Sequence, residues 1–326
     1  MPSKSPLKIV FGTGNVGDKS VDTMARFDTP AEVTAILDAF AQRGYTEIDS
    51  ARYYSPHAPG TCEPRLGAAG AGERFAVSTK VASREPGNHS KAQIAKSIDD
   101  SLAALKLKQV DIEYLHQPER TTPFEETCEA MDKAYREGKF KRFGLSNYPA
   151  SEVEEILQIC EARGFVKPTV YEGQYNPIVR GAEKELFPLL RKHSIAFYAW
   201  SPAGAGFFAG NYKHVQPGGR FDPSHNLGKF YGALYLKPAI EAATDRVINL
   251  AAEHGIGGHA AALRWTVYHS KLAADFGDAV IIGASSPVQL NSNMDMVEAG
   301  PLPQAVVDAF EQLHKEVGDD AIPYHW

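Results

Sequence analysis

The chain has 326 residues, 43% of them hydrophobic and 23% charged, with a net charge of −6. That profile fits a soluble globular protein with a full-sized core and lacks the basic stripe of a nucleic-acid-binding surface. The opening MPSKSPLKIVFGTG has no signal-peptide core and no run reaches the ~18 apolar residues of a membrane span.

The three cysteines, Cys62, Cys128 and Cys160, show no C-x-x-C spacing. A reduced, cytoplasmic protein is expected, with no disulfide framework and no cysteine-bound metal.

The first strand, KIVFG (8–12), runs into FGTGNVG, where Gly12, Gly14 and Gly17 spell G-x-G-x-x-G. A dinucleotide fingerprint opens directly into a helix and meets an acidic residue ~20 positions further on. Here Gly17 is followed by DKSVDTMARFDTP, which has no apolar stripe before Pro30, and the next strand ends at Asp49, over 30 residues beyond Gly12. The glycines therefore read as a tight turn after a strand, not as a Rossmann loop.

A helix follows in TPAEVTAILDAFAQRG, with Val33, Ile36, Leu37 and Phe40 at helical spacing. Strands TEIDS (46–50) and FAVSTK (75–80) come next. A second helix is expected with Ser90 as its N-cap and Ile94, Ile98, Leu102 and Leu105 as its apolar stripe. Beyond strands VDIEYLH (110–116) and FKRFGLS (140–146), SEVEEILQICEARG predicts a helix capped by Ser151, boxed by Glu154 and stopped at Gly164. The last strands are PTVYEGQ (168–174), IAFYAWS (195–201) and AVIIGAS (279–285).

Eight β-then-α units in one series point to a doubly wound sheet or a closed (β/α)8 barrel. A barrel takes ~250 residues. The surplus falls largely in a Gly/Pro/aromatic-rich insertion after the seventh strand (202–236) and in a tail from Pro301. No composition shift divides the chain, so one α/β domain over residues 1–326 is expected, a TIM barrel with that insertion and tail.

Consecutive strands end at Asp49, Lys80 and His116. In a barrel those ends form the active-site face, so the three would converge there. Singly, each reads equally well as a solvated strand end. Three ionisable residues in series, with a tyrosine close behind the first, form a much more specific pattern.

The ordered set DSARYY (49–54), STK ending at Lys80, YLH ending at His116, GLSN (144–147), WSP (200–202) and IIGASS followed by Gln289 and Asn293 resembles the aldo-keto reductase superfamily. The chain looks most like its branch of aflatoxin-aldehyde and succinic-semialdehyde reductases, sharing stretches from TEID through LSNY, ELFP and DAVI to AVVDAF. The resemblance implies a (β/α)8 barrel with an NADPH site at its mouth, and a catalytic tetrad of Asp49, Tyr54, Lys80 and His116. Tyr54 follows Asp49 at the family spacing and is preferred to its neighbour Tyr53. It would give a proton to the substrate oxygen as the nicotinamide gives a hydride, and His116 would orient that oxygen.

A free tyrosine titrates near ~10, so acid catalysis at neutral pH would call for a shift of ~3 units, or ~4 kcal/mol. One ammonium ~4 Å away at an effective dielectric of ~20 supplies about that much. Lys80 is the expected source, held charged by Asp49.

The resemblance also implies the cofactor shell. Gly12, Thr13 and Gly14 would lie beneath the nicotinamide, where small residues admit a bulky ring. Ser146 and Asn147 would hold the carboxamide, Trp200 would stack on the ring, and Ser201, Pro202, Ala203 and Gly204 would face the pyrophosphate. Gly283, Ser285, Gln289 and Asn293 would receive the adenosine. Where the family usually has a glutamine this chain has Glu172, with Gln174 on the same face of the strand. Glu172 can still accept from the carboxamide, but it adds a negative charge beside a ring that becomes cationic on oxidation.

Arg220 resembles an arginine that meets the 2′-phosphate in related branches, which favours NADPH over NADH. Arg52, Tyr53 and Arg84 are expected to line the pocket for an aldehyde or ketone, and two arginines would suit a carboxylate-bearing aldehyde. The protein is expected to act as a monomer or homodimer, without nucleic-acid or membrane partners and without a metal. Channel β-subunits, redox-sensitive NADPH-binding regulatory proteins, share the barrel, the tetrad and a WSP motif and form the alternative. Turnover of a generic aldehyde separates the two.

Overall fold

The computed structural model describes residues 5–318 and 321–326. Eight parallel strands close into a barrel in strict chain order. They are β1 (Lys8–Gly12), β2 (Glu47–Asp49), β3 (Ala76–Val81), β4 (Val110–Leu115), β5 (Phe140–Ser146), β6 (Pro168–Gln174), β7 (Ala196–Trp200) and β8 (Ala279–Ile282). The ring is sealed where Ile9 pairs with Val280 and Phe11 with Ile282.

The helices cover the outside: α1 (Pro30–Gln42), α2 (Cys62–Ala68), α3 (Ala71–Arg74), α4 (Lys91–Leu105), α5 (Phe124–Arg136), α6 (Ala150–Arg163) and α7 (Leu186–Lys192). They continue with α8 (Asn226–Tyr235), α9 (Pro238–Glu253), α10 (Gly258–Tyr268), α11 (Pro287–Glu298) and α12 (Gln304–Val317). No helix among the described residues is long and apolar enough to cross a membrane.

Strand alternation divides the apolar residues into two cores. Val10, Ile112, Tyr114, Val170, Tyr198 and Ile281 pack inside the barrel. Their outward neighbours, among them Phe11, Leu115, Tyr171 and Phe197, join the larger layer under the helices. All three cysteines are free and buried.

The loop GTGNVG contains no helix: the first helix starts at Pro30, and a Cβ on Gly17 would collide with the Ser55 side chain. Gly17 is thus required for loop packing. Ser90 stands at the N-cap of α4, but its hydroxyl donates to Gly87 O at 2.8 Å and accepts nothing from the helix.

The expected Ser151 cap is corrected. Helix α6 begins at Ala150 with Pro149 as its cap residue, so Ser151 lies inside the first turn. The free Ala150 N–H donates instead to the Tyr324 hydroxyl at 3.1 Å. A tail residue distant in sequence satisfies the helix end, and the serine is not needed for it.

Candidate active site

Asp49, Lys80 and His116 stand at the C-terminal ends of β2, β3 and β4, and the turn after β2 brings Tyr54 over them. Thr13 pins the arrangement: its N–H and its hydroxyl both donate to Asp49 O, at 2.9 and 2.8 Å. Lys80 is fully buried and donates to Asp49 Oδ1 at 2.6 Å, Ser50 O at 2.9 Å and the Tyr54 hydroxyl at 3.1 Å. The Tyr54 O–H donates to Asp49 Oδ2 at 2.6 Å. The His116 ring meets the Tyr54 ring edge-on, 6.1 Å between centroids.

Charge in this cluster follows from burial and partners. Burial alone would lower Lys80, but Asp49 and Glu172 outweigh it and hold the ammonium above its usual range. Burial, with Lys80 and Arg84 nearby, drives His116 well below its ordinary value, so its imidazole is neutral at physiological pH.

The expected lowering of Tyr54 is corrected. Burial first, then the Asp49 carboxylate beside it, raise the phenol well above its usual range. Lys80 is close enough to act, but it is paired with the Asp49 carboxylate at 2.6 Å. The resting tyrosine therefore keeps its proton firmly.

These groups underlie a cavity of about 940 Å³ bordered by the loops after β1, β2, β7 and β8. Tyr54, His116, Asn147, Glu172 and Trp200 line one end of it. Asn147 Nδ2 is engaged with His116 O at 3.0 Å and Ser146 Oγ at 2.9 Å, which leaves its buried Oδ1 without a partner. Glu172 Oε2 lies 3.2 Å from Lys80 Nζ, an ion-pair distance, but is not aligned as a hydrogen bond. Asn147 and Ser201, closing β5 and β7, have left-handed backbones with φ of 64° and 57°.

Two unfilled acceptors beside the half-buried face of Trp200 suit a flat ring carrying an amide NH2, so this wall fits a nicotinamide. Gly12 and Gly14 border the same cavity, as do Ser201, Pro202 and Ala203. Thr13, Ser146, Gly204, Asp49 and Lys80 do not border it: Thr13 and Ser146 position their neighbours, and Asp49 and Lys80 lie behind Tyr54 and Glu172.

At the far end are Gly283, Ser285, Gln289 and Asn293. Gln289 Oε1 accepts from Ser285 N at 2.6 Å, and Asn293 Nδ2 donates to Gly283 O at 3.3 Å. Arg220 reaches across from the insertion to Asn15 Oδ1 at 2.8 Å, and Arg26 ties the facing loop to Gly218 O at 2.8 Å.

Tyr53 and Arg84 border the cavity, with the guanidinium 5.0 Å from the Tyr53 ring. Arg52 does not. It is turned outward to Glu63 Oε2 at 3.0 Å and Asp100 Oδ2 at 3.4 Å, so the expected pair of pocket arginines is corrected to one. Buried Glu63 takes the charge that a substrate carboxylate would have taken.

Other wall residues were not expected from the sequence, among them Trp326, Arg26 and His259. Trp326 packs edge-on against Trp200 and Phe230, with centroids at 6.2 and 5.8 Å, and its N–H donates to Asn147 O at 3.0 Å. Arg26 and His259 also border the cavity. An unpaired arginine in the loop after the first strand was the available signal for Arg26; nothing in the tail distinguished Trp326.

A family model described as "Aldo/keto reductase family" matches residues 8–315. The chain belongs to the aldo-keto reductase family. It is therefore an NAD(P)H-dependent oxidoreductase.

This aldo-keto reductase is 40% identical over 298 residues to an aldo-keto reductase of Pseudocercospora fijiensis, covering 89% of this chain and 99% of that protein. It is 36% identical over 320 residues to the oxidoreductase sirO of Leptosphaeria maculans, covering 97% and 96%. Human aflatoxin B1 aldehyde reductase member 2 is 39% identical over 328 residues, covering 97% and 88%.

Proposed function

We propose that this aldo-keto reductase uses NADPH to reduce an aldehyde or ketone, with Tyr54 as general acid. The observation that carries the reading is the Tyr54 hydroxyl. It meets Asp49 at 2.6 Å and Lys80 at 3.1 Å, next to a wall whose two buried acceptors carry no hydrogen bond. When bound, the nicotinamide supplies the hydride.

The protein's residues do the rest. Neutral His116 donates a hydrogen bond to the carbonyl oxygen and fixes its direction. The Tyr54 O–H turns from Asp49 to that oxygen and releases its proton, while Lys80 continues to donate to the phenolate left behind. Thr13 and Ser146 hold Asp49 and Asn147 in place.

Arg220, with no carboxylate partner among the described residues, supports a 2′-phosphate and hence NADPH over NADH. Tyr53, Arg84, Trp200, Phe230 and Trp326 frame a largely aromatic substrate end.

The test is NADPH and NADH oxidation with a panel of carbonyl substrates, starting from 4-nitrobenzaldehyde. Vigorous turnover, faster with NADPH, is the expected result. Tight nucleotide binding with negligible turnover of every carbonyl would remove the reductase reading.

A further inference from the structure

The barrel mouth sets one buried cation against two buried carboxylates. Lys80 Nζ lies 2.6 Å from Asp49 Oδ1 and 3.2 Å from Glu172 Oε2, and all three side chains are shut off from solvent. Fully ionised, they would leave one unbalanced negative charge in a site with little water, which is strongly disfavoured. The titratable groups facing Glu172 are Asp49 on β2, Tyr54 in the turn after it, Lys80 on β3 and Tyr114 on β4. Of these only Lys80 is cationic.

A proton on one carboxylate restores the balance, and the hydrogen bonds say which. Both Asp49 oxygens are occupied as acceptors, by Lys80 and by the Tyr54 O–H. Glu172 Oε2 is buried and has no hydrogen bond, and the residue borders the cavity. Burial and the Asp49 charge also push the Glu172 carboxyl well above the usual carboxylate range.

We propose that Glu172 is a proton store tied to the redox state of the bound nucleotide, protonated when the reduced nicotinamide is bound and ionised when the oxidised one is. The inference rests on the cofactor reading above and extends it. Carbonyl reduction consumes one hydride and one proton. The Tyr54 O–H bond breaks as the proton moves to the carbonyl oxygen that the hydride has made an alkoxide. Lys80, 3.1 Å from the Tyr54 oxygen and 3.2 Å from Glu172, passes one N–H proton to the phenolate and takes the proton of the Glu172 carboxyl. One proton thus moves from Glu172 to the product alcohol, and a carboxylate appears in the site where the ring becomes a cation. A glutamine at this place could not do this, having no carboxyl proton to give.

The test is the dissociation constants of NADP+ and NADPH, read from tryptophan fluorescence between about pH 5.5 and about pH 8.5, above the range of an ordinary carboxyl. It uses the wild-type protein and Glu172→Gln, which keeps the side-chain shape. The ratio Kd(NADPH)/Kd(NADP+) cancels the phosphates that both nucleotides share. In the wild type it should rise with pH by up to about tenfold per unit, because NADP+ binding expels a proton; in Glu172→Gln it should be flat.

Calorimetry in two buffers of different ionisation heat should find about one proton released per wild-type NADP+ bound and none with NADPH. A flat wild-type ratio, or an equal slope in the variant, overturns the proposal. Binding of neither nucleotide would instead overturn the cofactor reading, and this inference with it.

Discussion

The barrel holds an ionic cluster at each end of its strands, and the two differ in every respect that separates support from chemistry. At the N-terminal end, Lys8 pairs with Glu47 at 2.7 Å and Arg142 with Asp111 at 2.5 Å. The Tyr198 hydroxyl joins the two pairs, 3.2 Å from Lys8 and from Glu47 and 3.4 Å from Arg142. Two cations meet two anions, with side chains 16–39% exposed. At the C-terminal end one buried cation faces two buried carboxylates, and polar atoms lack partners. A balanced, wetted cluster closes a barrel. An unbalanced, dry one with open acceptors is arranged for a ligand.

The contrast can be broken by removing one cation from each cluster. Lys80→Met should have the largest effect: leaving Asp49 without its buried partner costs about 3–5 kcal/mol, read by denaturant unfolding, and turnover should vanish. His116→Ala should leave stability nearly unchanged and lower kcat by roughly 10²–10³-fold, the size expected for one lost donor to the carbonyl oxygen. Arg220→Ala should weaken NADPH binding by about tenfold, roughly 1.4 kcal/mol, and leave NADH binding unaltered in direct titrations. Arg142→Leu, at the opposite end, should cost about 1 kcal/mol or less, as partly exposed pairs do, with kcat unchanged. If Arg142→Leu abolished turnover while remaining folded, the division between the two ends would be wrong.

The two clusters also differ in how far the sequence disclosed them. Asp49, Lys80 and His116 were legible because each ends a strand, and a closed parallel barrel brings such ends together whatever their spacing. Arg52 was not, because its direction is decided by Glu63 on α2 and Asp100 on α4. Those acids are neighbours only after the helices pack.

Trp326 was hidden for a similar reason. Its place beside Trp200 depends on a backbone contact distant in sequence, the Trp326 main-chain N–H donating to Asn147 O. The acidity of Tyr54 misled in another way. Lys80 alone would lower the phenol, but burial, which only the folded chain decides, and then Asp49 raise it.

The central claim, that the Tyr54 hydroxyl supplies the proton, is tested most directly by Tyr54→Phe. The measurement is single-turnover oxidation of bound NADPH by 4-nitrobenzaldehyde, alongside the NADPH dissociation constant. The account predicts nucleotide affinity within a few-fold of wild type and a turnover rate lower by about 10²–10⁴-fold, the contribution of a positioned acid. An unchanged rate in a variant that still binds NADPH would contradict it.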